Sequence, residues 1–466
     1  MTRVPVRRFA FLVILAAALI ACVSPSAQTS ATAPIDAILE APIKDGKIAG
    51  ASVAVVKGGA TLLVKEYGSA DLELAVPTPP KATYEIGSVT KQFTAAAILL
   101  LAEQGKLSLD DELTTLLPDY PSQGHRVKVR RLLNHTSGIK GYTEMPEFRE
   151  FQRLERPRQE LVTLFGGQPF EFAPGEQQTY NNSAFFLLGL IIEKVSGTTY
   201  EAFVKANLFD RVGMPDSYYC SGRTIRKNHA HGYDTENGQL VLKAYLDHLW
   251  PYAAGSLCSN TADLVAWTRA LHGGRVLKPE SYREMITPGV LNDGTRIRYG
   301  LGIAVAEIGG RRAIAHGGGI SGFLSEVEFY PDDDLFVVVL LNTAGPVAPR
   351  DLARQIADVV LPRPPDRSRT FQGDLQHYAG IFGGRGRGRD SKVRIAVENG
   401  ALVFADLAAS RAPEKLSYYG NETFGFKDTL VTFERKDQAV ARLRVDTGTG
   451  HNILTRTADT SQIDRR

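Results

Sequence analysis

The stretch from Ile86 to Gly105, IGSVTKQFTAAAILLLAEQG, is the most informative part of the sequence. A long and almost uncharged apolar run follows its first glycine and serine and ends at a closing glycine, which is typical of a buried helix. Ser88 and Lys91 stand three positions apart at the start of this run, and side chains at that spacing share one face of a helix. We therefore predict a buried helix over residues 88–104 that presents a hydroxyl and an amine side by side.

Ser88 and Lys91 are a candidate nucleophile and base. A serine hydroxyl is a poor nucleophile until a base removes its proton, and a lysine can be that base only if its pKa is lowered. Burial of the helix and the positive end of its dipole both disfavour the charged ammonium. The spacing alone is weak support, because Ser-x-x-Lys also occurs at exposed helix starts with a capping serine.

Two further polar motifs follow along the chain. Tyr180-Asn181-Asn182 comes after the turn Pro174-Gly175-Glu176 and before a predicted helix over residues 183–195. A tyrosine hydroxyl beside the serine and the lysine can pass protons, and Asn182 can bind a substrate amide or hold the lysine. A capping loop with a packed tyrosine is the alternative. His316-Gly317-Gly318-Gly319 ends a predicted strand, where glycines let a ligand lie against the strand edge.

The order of strand and helix patterns predicts an α+β domain. Residues 51–64 and 329–341 are predicted to form hairpins near the two ends of this domain. Residues 88–104, 183–195 and 261–271 are predicted to form helices between them. Strands at both ends with helices in the middle favour one antiparallel sheet covered by helices.

A proline-rich linker over residues 362–370 separates this first domain, at 35–361, from a second domain at 371–466. Alternating apolar residues on both sides of Asn399-Gly400 predict a hairpin with a type I′ turn. We expect a small all-β barrel or sandwich that supports or covers the first domain. The glycine-arginine alternation over residues 384–389 is interpreted as a solvated loop between strands, because no aromatic residues interleave with the arginines.

The N-terminus predicts export. Arginines precede an apolar run that is too short to span a bilayer comfortably, so residues 1–21 are interpreted as a signal peptide. Leu19-Ile20-Ala21-Cys22 is similar to a bacterial lipobox, in which Cys22 carries lipid, and ordinary cleavage a few residues later is the alternative. Residues 22–34 follow as a predicted flexible tether. We expect an exported, periplasmic lipoprotein that contacts the membrane only through this anchor.

Charge, cysteine and histidine content disfavour several classes of protein. The formal net charge of +3 is spread over the chain, so no nucleic-acid partner is expected. Cys220 and Cys258 can pair in an oxidising compartment, but two inert buried thiols are the favoured interpretation. His229 and His231 lack a matching carboxylate or cysteine pattern, so we expect neither a metal site nor another cofactor.

Taken together, the motifs resemble the serine β-lactamase-related family, closest to class C β-lactamases, DD-peptidases and related esterases. Ser-x-x-Lys, Tyr-x-Asn and His-x-Gly occur in that family's order and at about its separations. Further stretches agree: IGSVTKQFT at 86–94, LLNHTSG at 132–138, PGE at 174–176 and AGSL at 254–257. The resemblance implies an antiparallel sheet flanked by helices, a mostly helical subdomain, and the small all-β domain that often trails such enzymes.

The resemblance also implies catalytic roles. Ser88 attacks the substrate carbonyl, Lys91 takes its proton, and Tyr180 protonates the leaving group and later activates the deacylating water. The backbone N–H groups of Ser88 and Gly319 form the oxyanion hole. The segment around His135 is a structural turn in this family, so we expect a buried, hydrogen-bonded histidine there and not a catalytic base.

Substrate binding is assigned by the same resemblance to Asn182, His316, Gly318 and Gly319. His316 stands where many relatives have lysine, and an imidazole that is mostly neutral at about pH 7 grips a substrate carboxylate more weakly. Gly317 replaces the usual threonine, whose hydroxyl helps to bind the same carboxylate. These departures predict poor penicillin hydrolysis and leave acyl transfer itself intact.

The leading hypothesis is a serine hydrolase that forms an acyl-enzyme with a small-molecule or short-peptide substrate, either a β-lactam, a D-amino-acid peptide or a carboxylic ester. The loops over residues 144–158 and 224–250 are expected to select among these substrates. The alternative is a penicillin-binding sensor that is acylated without turnover. A scaffold with a vestigial site is a weaker alternative. The sequence does not predict the oligomeric state.

Overall fold

Strands from both ends of the first domain meet in one antiparallel sheet. The computed structural model describes residues 25–408 and 412–457 of the chain. The strands of the first domain are β1 (Gly50–Lys57), β2 (Ala60–Asp71), β3 (Val76–Pro77), β4 (Tyr84–Glu85), β5 (Gln178–Thr179), β6 (Tyr218–Tyr219), β7 (Tyr233–Glu236), β8 (Gln239–Leu242), β9 (Leu257–Ser259), β10 (Ala304–Ile308), β11 (Arg311–Ile320), β12 (Phe323–Tyr330), β13 (Leu335–Leu341) and β14 (Thr343–Ala344). The main sheet has the order β10-β11-β12-β13-β1-β2-β3. Both predicted hairpins are confirmed, as β1 with β2 and β12 with β13.

Helices cover both faces of this sheet. The helices of the first domain are α1 (Pro25–Lys44), α2 (Thr90–Glu103), α3 (Leu113–Leu116), α4 (Val129–Leu133), α5 (Phe148–Phe151), α6 (Arg158–Gly166), α7 (Asn182–Ser196), α8 (Tyr200–Val204), α9 (Asp210–Val212), α10 (Tyr252–Gly255), α11 (Thr261–His272), α12 (Pro279–Met285) and α13 (Pro349–Val360). Side chains of the buried central strand β13 alternate between the faces. Val337 shares an apolar cluster with Ile356 of α13, whereas Val338 shares one with Phe93 of α2. The expected α+β class is confirmed.

Helix α2 is the buried helix predicted from the opening stretch, although it begins at Thr90 and not at the serine. Residues 87–89 form a 3₁₀ turn that leads into it. All residues from Thr90 to Leu101 are buried, and Phe93 stacks on Trp267 of α11 with ring centroids 4.0 Å apart. The apolar run therefore forms the interior of the helical layer, and Ser88 lies in the turn directly before the N-terminus of α2.

Helices α7 and α11 confirm two further predictions. The side chain of Asn181 accepts the N–H of Ala184 at 2.8 Å, and that of Asn260 accepts the N–H of Asp263 at 2.9 Å. Such N-cap oxygens pair with donors that the first helical turn leaves free. Because Tyr180 directly precedes the cap of α7, this cap fixes where the tyrosine enters the site.

The predicted flexible tether over residues 22–34 is helical in the described residues, which corrects that expectation from Pro25 onward. Ile35 and Leu39 of α1 are buried in the apolar cluster on the side of the sheet that α13 covers. The helical turns that carry Ile35 and Leu39 are held against the sheet and supply the nucleus that helix formation requires. The helix extends from these turns toward Pro25. Cys22 and the predicted signal peptide lie outside the described residues. None of the described helices is both long and apolar enough to cross a bilayer.

Cys220 and Cys258 form a disulfide, which corrects the expectation of two free thiols. Strand β6 pairs with β9 so that Tyr218 lies opposite Cys258, and the two cysteine Cα atoms are 5.3 Å apart. This separation suits a disulfide. The pairing depends on the small sheet β4-β9-β6, whose short strands give little signal in the sequence.

The second domain is all β, as expected. Its described strands are β15 (Gly380–Gly386), β16 (Arg389–Glu398), β17 (Ala401–Asp406), β18 (Glu414–Lys415), β19 (Ser417–Gly420), β20 (Thr423–Phe426), β21 (Thr429–Lys436), β22 (Ala439–Asp446) and β23 (Gly450–Arg456). They form one barrel-like sheet in the order β18-β17-β16-β15-β23-β22-β21-β20-β19 around an apolar core. Asn399 and Gly400 have φ angles of 49° and 74°, as the predicted type I′ turn between β16 and β17 requires.

The second domain docks on the first next to the candidate site. Strand β23 pairs with β5, with Gly450 opposite Thr179. Arg298 Nε lies 3.0 Å from Asp446 Oδ2 across the interface, and both side chains are largely buried. Because Tyr180 directly follows β5, the barrel is fixed against the segment that carries the predicted tyrosine.

Two buried carboxylates on β12 make the sheet sensitive to pH. Glu326 and Glu328 lie two residues apart, on one side of the strand, and are 3% and 0% exposed. Burial raises the pKa of both carboxyl groups, and the charge of Glu326 raises that of Glu328 further. The folded state therefore holds a proton more tightly than the unfolded chain. Stability is lost as the pH rises from the ordinary glutamate pKa of about 4.3 through the raised value.

Replacing Glu328→Gln should raise the melting temperature relative to the native chain at about pH 9 and leave it unchanged at about pH 5, where the carboxyl is already protonated. Scanning calorimetry at both pH values checks this. The exposed Glu147→Gln is the control and should change neither value. Equal destabilisation of the Glu328 variant at both pH values would contradict the argument.

Candidate active site

Ser88 lies in the turn between β4 and α2, where this turn packs against the glycine run of β11. Gly87 has a φ of 49°, and a Cβ on it would come within 2.9 Å of Gly319 N. A Cβ on Gly318 would come within 2.1 Å of Ile86 O. The two backbones can therefore approach only because these positions lack side chains. The approach brings the main chain of Ser88 beside that of Gly319, the pair expected to form an oxyanion hole.

Lys91 is completely buried, and three oxygens surround its amine. Its Nζ lies 3.2 Å from Ser88 Oγ, 2.8 Å from Asn182 Oδ1 and 2.8 Å from Ala254 O. Burial lowers the pKa of Lys91 well below its ordinary value, and the charge of Arg387 lowers it further. The folded protein thus favours the neutral amine.

The two carbonyl oxygens determine where the lone pair of the neutral amine points. Asn182 Oδ1 and Ala254 O can only accept, so each takes one of the two N–H bonds. The lone pair then faces Ser88 Oγ, whose hydroxyl can donate to it. This is the contact that a serine nucleophile needs with its base.

Tyr180 belongs to a buried group of rings beside the lysine. Its ring centroid lies 4.7 Å from Lys91 Nζ and 4.4 Å from that of His135. Its hydroxyl is buried and makes no hydrogen bond of ordinary geometry to the described residues. Burial raises the pKa of Tyr180, whereas the nearby Ser88 hydroxyl and Arg387 act to lower it. The side chain is therefore a neutral phenol that has a proton to give.

His135 is buried and hydrogen-bonded, as expected of a structural residue. Its Nδ1 accepts the N–H of Asn181 at 3.1 Å, and its carbonyl accepts the N–H of Thr179 at 3.0 Å. Burial lowers the pKa of His135 well below its ordinary value. The imidazole is neutral and supports the segment that carries Tyr180.

His316 lies next to Tyr180, but both of its ring nitrogens are already used. Nδ1 donates to Gly317 O at 2.6 Å, so Nε2 accepts the Tyr299 hydroxyl at 2.8 Å. Burial lowers the pKa of His316 to about 3, and the ring carries no charge at neutral pH. The missing side chain at Gly317 makes room for the carboxyl group of Glu326, because a Cβ on Gly317 would come within 2.6 Å of Glu326 Oε2. Neither side chain offers a donor to a substrate carboxylate.

A cleft of about 170 Å³ opens beside Ser88. None of the described residues that line it is charged. Phe148 and Gln152 come from the first predicted specificity loop, and Leu246 comes from the second. Asn182 also lines the cleft. Its Nδ2 donates to Thr143 Oγ1 at 3.2 Å and its Oδ1 accepts from Lys91 Nζ, so this side chain connects the cleft wall to the lysine. The remaining lining residues are Gly87, Tyr142, Pro251, Ala254, Gly255, Gly319, Ile320 and Ser321.

Sequence analysis missed the role of Arg387. The predicted solvated loop over residues 384–389 is the tip of the β15–β16 hairpin, and its arginines are exposed as expected, but one of them also contacts the first domain. The tip of the β15–β16 hairpin packs on the first domain, and Arg387 Nε donates to Glu144 Oε1 at 2.8 Å. Its guanidinium carbon lies 5.3 Å from the centroid of the Tyr180 ring. The glycine-arginine alternation gives no sign of this, because the docking of the two domains decides what the hairpin tip contacts.

Two carboxylates lie near His231, although the sequence pattern around this histidine predicted none. Ligand-type atoms of Asp71, Glu73 and His231 lie within 4.8 Å of one another. His231 Nδ1 is 3.4 Å from Asp71 Oδ2. Glu73 and His231 are exposed, and exposed groups of this kind are common without an ion, so we assign no metal here.

Comparison with known proteins agrees with this geometry. Residues 35–361 match the family described as Beta-lactamase. Penicillin-binding protein 4* of Bacillus subtilis (strain 168) is 30% identical over 308 residues, which are 62% of this chain and 67% of that protein. Protein flp of Staphylococcus aureus (strain MRSA252) is 27% identical over 324 residues, and the chain spans only 64% of its length.

Solved structures show the same fold. A D-stereospecific amidohydrolase from Streptomyces sp. aligns with a TM-score of 0.60 and 27% identity over 70% of this chain and 97% of its own. The octameric penicillin-binding protein homologue from Pyrococcus abyssi aligns with a TM-score of 0.63 and 23% identity over 91% of this chain and 100% of its own, which shows a shared fold across both domains. Since the family match over residues 35–361 spans well over half of the sequence, the chain belongs to the Beta-lactamase family, within the serine-hydrolase superfamily.

Proposed function

We propose that this chain hydrolyses small amides or esters through an acyl-enzyme on Ser88. The observation that carries the proposal is the amine of Lys91, which two fixed carbonyl oxygens orient so that its lone pair faces Ser88 Oγ. A buried amine in this position removes the serine proton without help from a histidine or a metal.

The reaction proceeds in two acyl transfers. Ser88 Oγ attacks the substrate carbonyl while its proton passes to Lys91 Nζ, and the N–H groups of Ser88 and Gly319 stabilise the oxyanion. The C–N or C–O bond then breaks, and Tyr180 gives its proton to the leaving group. Water attacks the acyl-enzyme with the same groups in reverse roles and regenerates Ser88.

We propose derivatives of D-amino acids with an uncharged acyl group as the substrate class. The neutral, partly aromatic cleft beside Ser88 supports an uncharged acyl group, because burying a charge there would leave it unpaired. The likeness to an amidohydrolase described as D-stereospecific supports the stereochemistry. β-Lactams are the less favoured substrates, since their fused rings must fit beside Ser88 in a cleft of about 170 Å³.

Ser88→Ala should reduce hydrolysis of a chromogenic ester by at least about 1,000-fold and abolish labelling by a fluorophosphonate, because no other group takes over the attack. Stopped assays and mass spectrometry of the labelled chain measure both effects. Ser196→Ala, at the far end of α7, is the matched control and should behave as the native chain. Retained labelling of the Ser88 variant would overturn the assignment. A single labelling burst without continued product release would identify a sensor.

The pH profile of kcat/KM should rise to a plateau with an apparent pKa well below the ordinary lysine value of about 10.4. Burial lowers the pKa of Lys91, so the neutral amine forms at a lower pH. Burial raises the pKa of Tyr180, so the plateau should hold on the alkaline side. Steady-state rates with an uncharged ester measure this profile. A rate that still climbs at about pH 10 would show that Lys91 titrates normally and is not the base.

A chromogenic ester should be cleaved faster than a chromogenic cephalosporin by the purified chain. The ester is small and needs only the nucleophile and the cleft, whereas the fused rings of the cephalosporin must fit beside Ser88 in a cleft of about 170 Å³. Comparing kcat/KM for the two compounds measures the preference. The opposite ranking would restore the β-lactamase interpretation.

A further inference from the structure

The second domain places a cation directly over the predicted proton donor. The guanidinium carbon of Arg387 lies 5.3 Å from the centroid of the Tyr180 ring. Arg387 Nε donates to Glu144 Oε1 at 2.8 Å, and the glutamate is almost completely buried. The Nη groups make no hydrogen bond to any described residue, and the arginine side chain is 56% exposed. The free edge of the guanidinium therefore remains available to a ligand.

This arginine is held in place by the docking of the two domains. A Cβ on the next residue, Gly388, would come within 2.9 Å of Lys140 Nζ and 3.1 Å of Glu171 Oε1, so the turn lies tightly on the first domain. Lys140 and Glu171 form an ion pair at 2.9 Å and are mostly buried. With β23 paired to β5 as well, the second domain is fixed to the first at two points near Tyr180.

The groups of the first domain that lie near Tyr180 carry little positive charge. Burial lowers the pKa of Lys91 and His316, so both tend to be neutral. The nitrogens of His316 are already used, and Gly317 has no hydroxyl. Arg387 is more exposed than these two residues. A guanidinium is charged at neutral pH, and its planar fork binds a carboxylate through two parallel hydrogen bonds.

We propose that Arg387 is a specificity-determining residue that binds a free carboxylate on the leaving group of an amide substrate. The inference rests on the proposed function, in which Tyr180 protonates that leaving group. Because the guanidinium lies over the Tyr180 ring, a leaving group that takes the phenol proton lies within its reach. The amide C–N bond breaks, the nitrogen gains the proton, and an amino acid departs with its carboxylate still ionised. The preferred substrate is therefore an acyl amino acid and not a simple amide.

A matched pair of substrates tests the inference: N-acetyl-D-alanyl-D-alanine as the free acid and as its C-terminal amide. Arg387→Gln should lower the ratio of kcat/KM for the acid to kcat/KM for the amide by about 10- to 100-fold, as expected for a lost charge-assisted hydrogen bond. The ratio is the readout because any change in the pKa of Lys91 or Tyr180 affects both substrates alike. Arg387→Lys should restore part of the loss. Arg385→Gln is the matched control, because Arg385 lies on the same hairpin and, among the described residues, pairs only with the exposed Asp390, at 3.5 Å.

Binding to the Ser88→Ala chain, measured by calorimetry with the same two compounds, separates failure of this inference from failure of the proposed function. If only the proposed function is wrong, the native chain turns over neither compound, yet Ser88→Ala still prefers the acid and loses that preference when Arg387→Gln is added. If the inference is wrong, Arg387→Gln affects acid and amide equally or not at all. Absence of an acid preference in binding overturns the inference whatever the turnover.

Discussion

The site depends on one buried amine. Lys91 lies at the meeting point of α2, α7 and α10, which supply the lysine itself, the amide oxygen of Asn182 and the carbonyl of Ala254. An ammonium is costly in such an interior, whereas a neutral amine with both N–H bonds paired is not. The environment that stabilises the helical core therefore also favours the neutral amine that the proposed base requires. A change in the packing of any of these helices would therefore change both the pKa of the Lys91 amine and the direction of its lone pair.

The sheet adds a second constraint, which acts on the backbone. The serine turn reaches β11 only because Gly87 and Gly318 leave space for neighbouring main-chain atoms. Gly319 differs from them, since a Cβ on it would meet only Leu324 Cδ2 at 3.4 Å and its outer side lines the cleft. Gly87 and Gly318 thus allow two backbones to pack together, whereas Gly319 borders the cleft. The three consecutive glycines at 317–319 look alike in the sequence. Their different surroundings become visible only when the serine turn packs against β11.

Local patterns predicted the elements that local forces determine. The apolar run of α2, the helices α7 and α11 and the Asn399-Gly400 turn are set by nearby residues, and each was predicted correctly. The Cys220–Cys258 pairing and the position of Arg387 depend on segments far apart in sequence. The helical state of residues from Pro25 onward depends on docking against the sheet. Long-range packing decides these features, and no residue pattern near them records it.

The same physics explains why a second domain is needed for charge recognition. Burial that makes Lys91 a base and keeps His316 neutral removes the positive charge that an anionic substrate group requires. Exposing Lys91 would restore its charge and remove the neutral amine that the proposed proton transfer needs. Arg387 avoids the conflict, because a guanidinium remains charged where an amine or imidazole does not. It arrives on a hairpin from outside the helical core, so proton transfer and charge recognition are assigned to separate domains that meet at the Tyr180 ring.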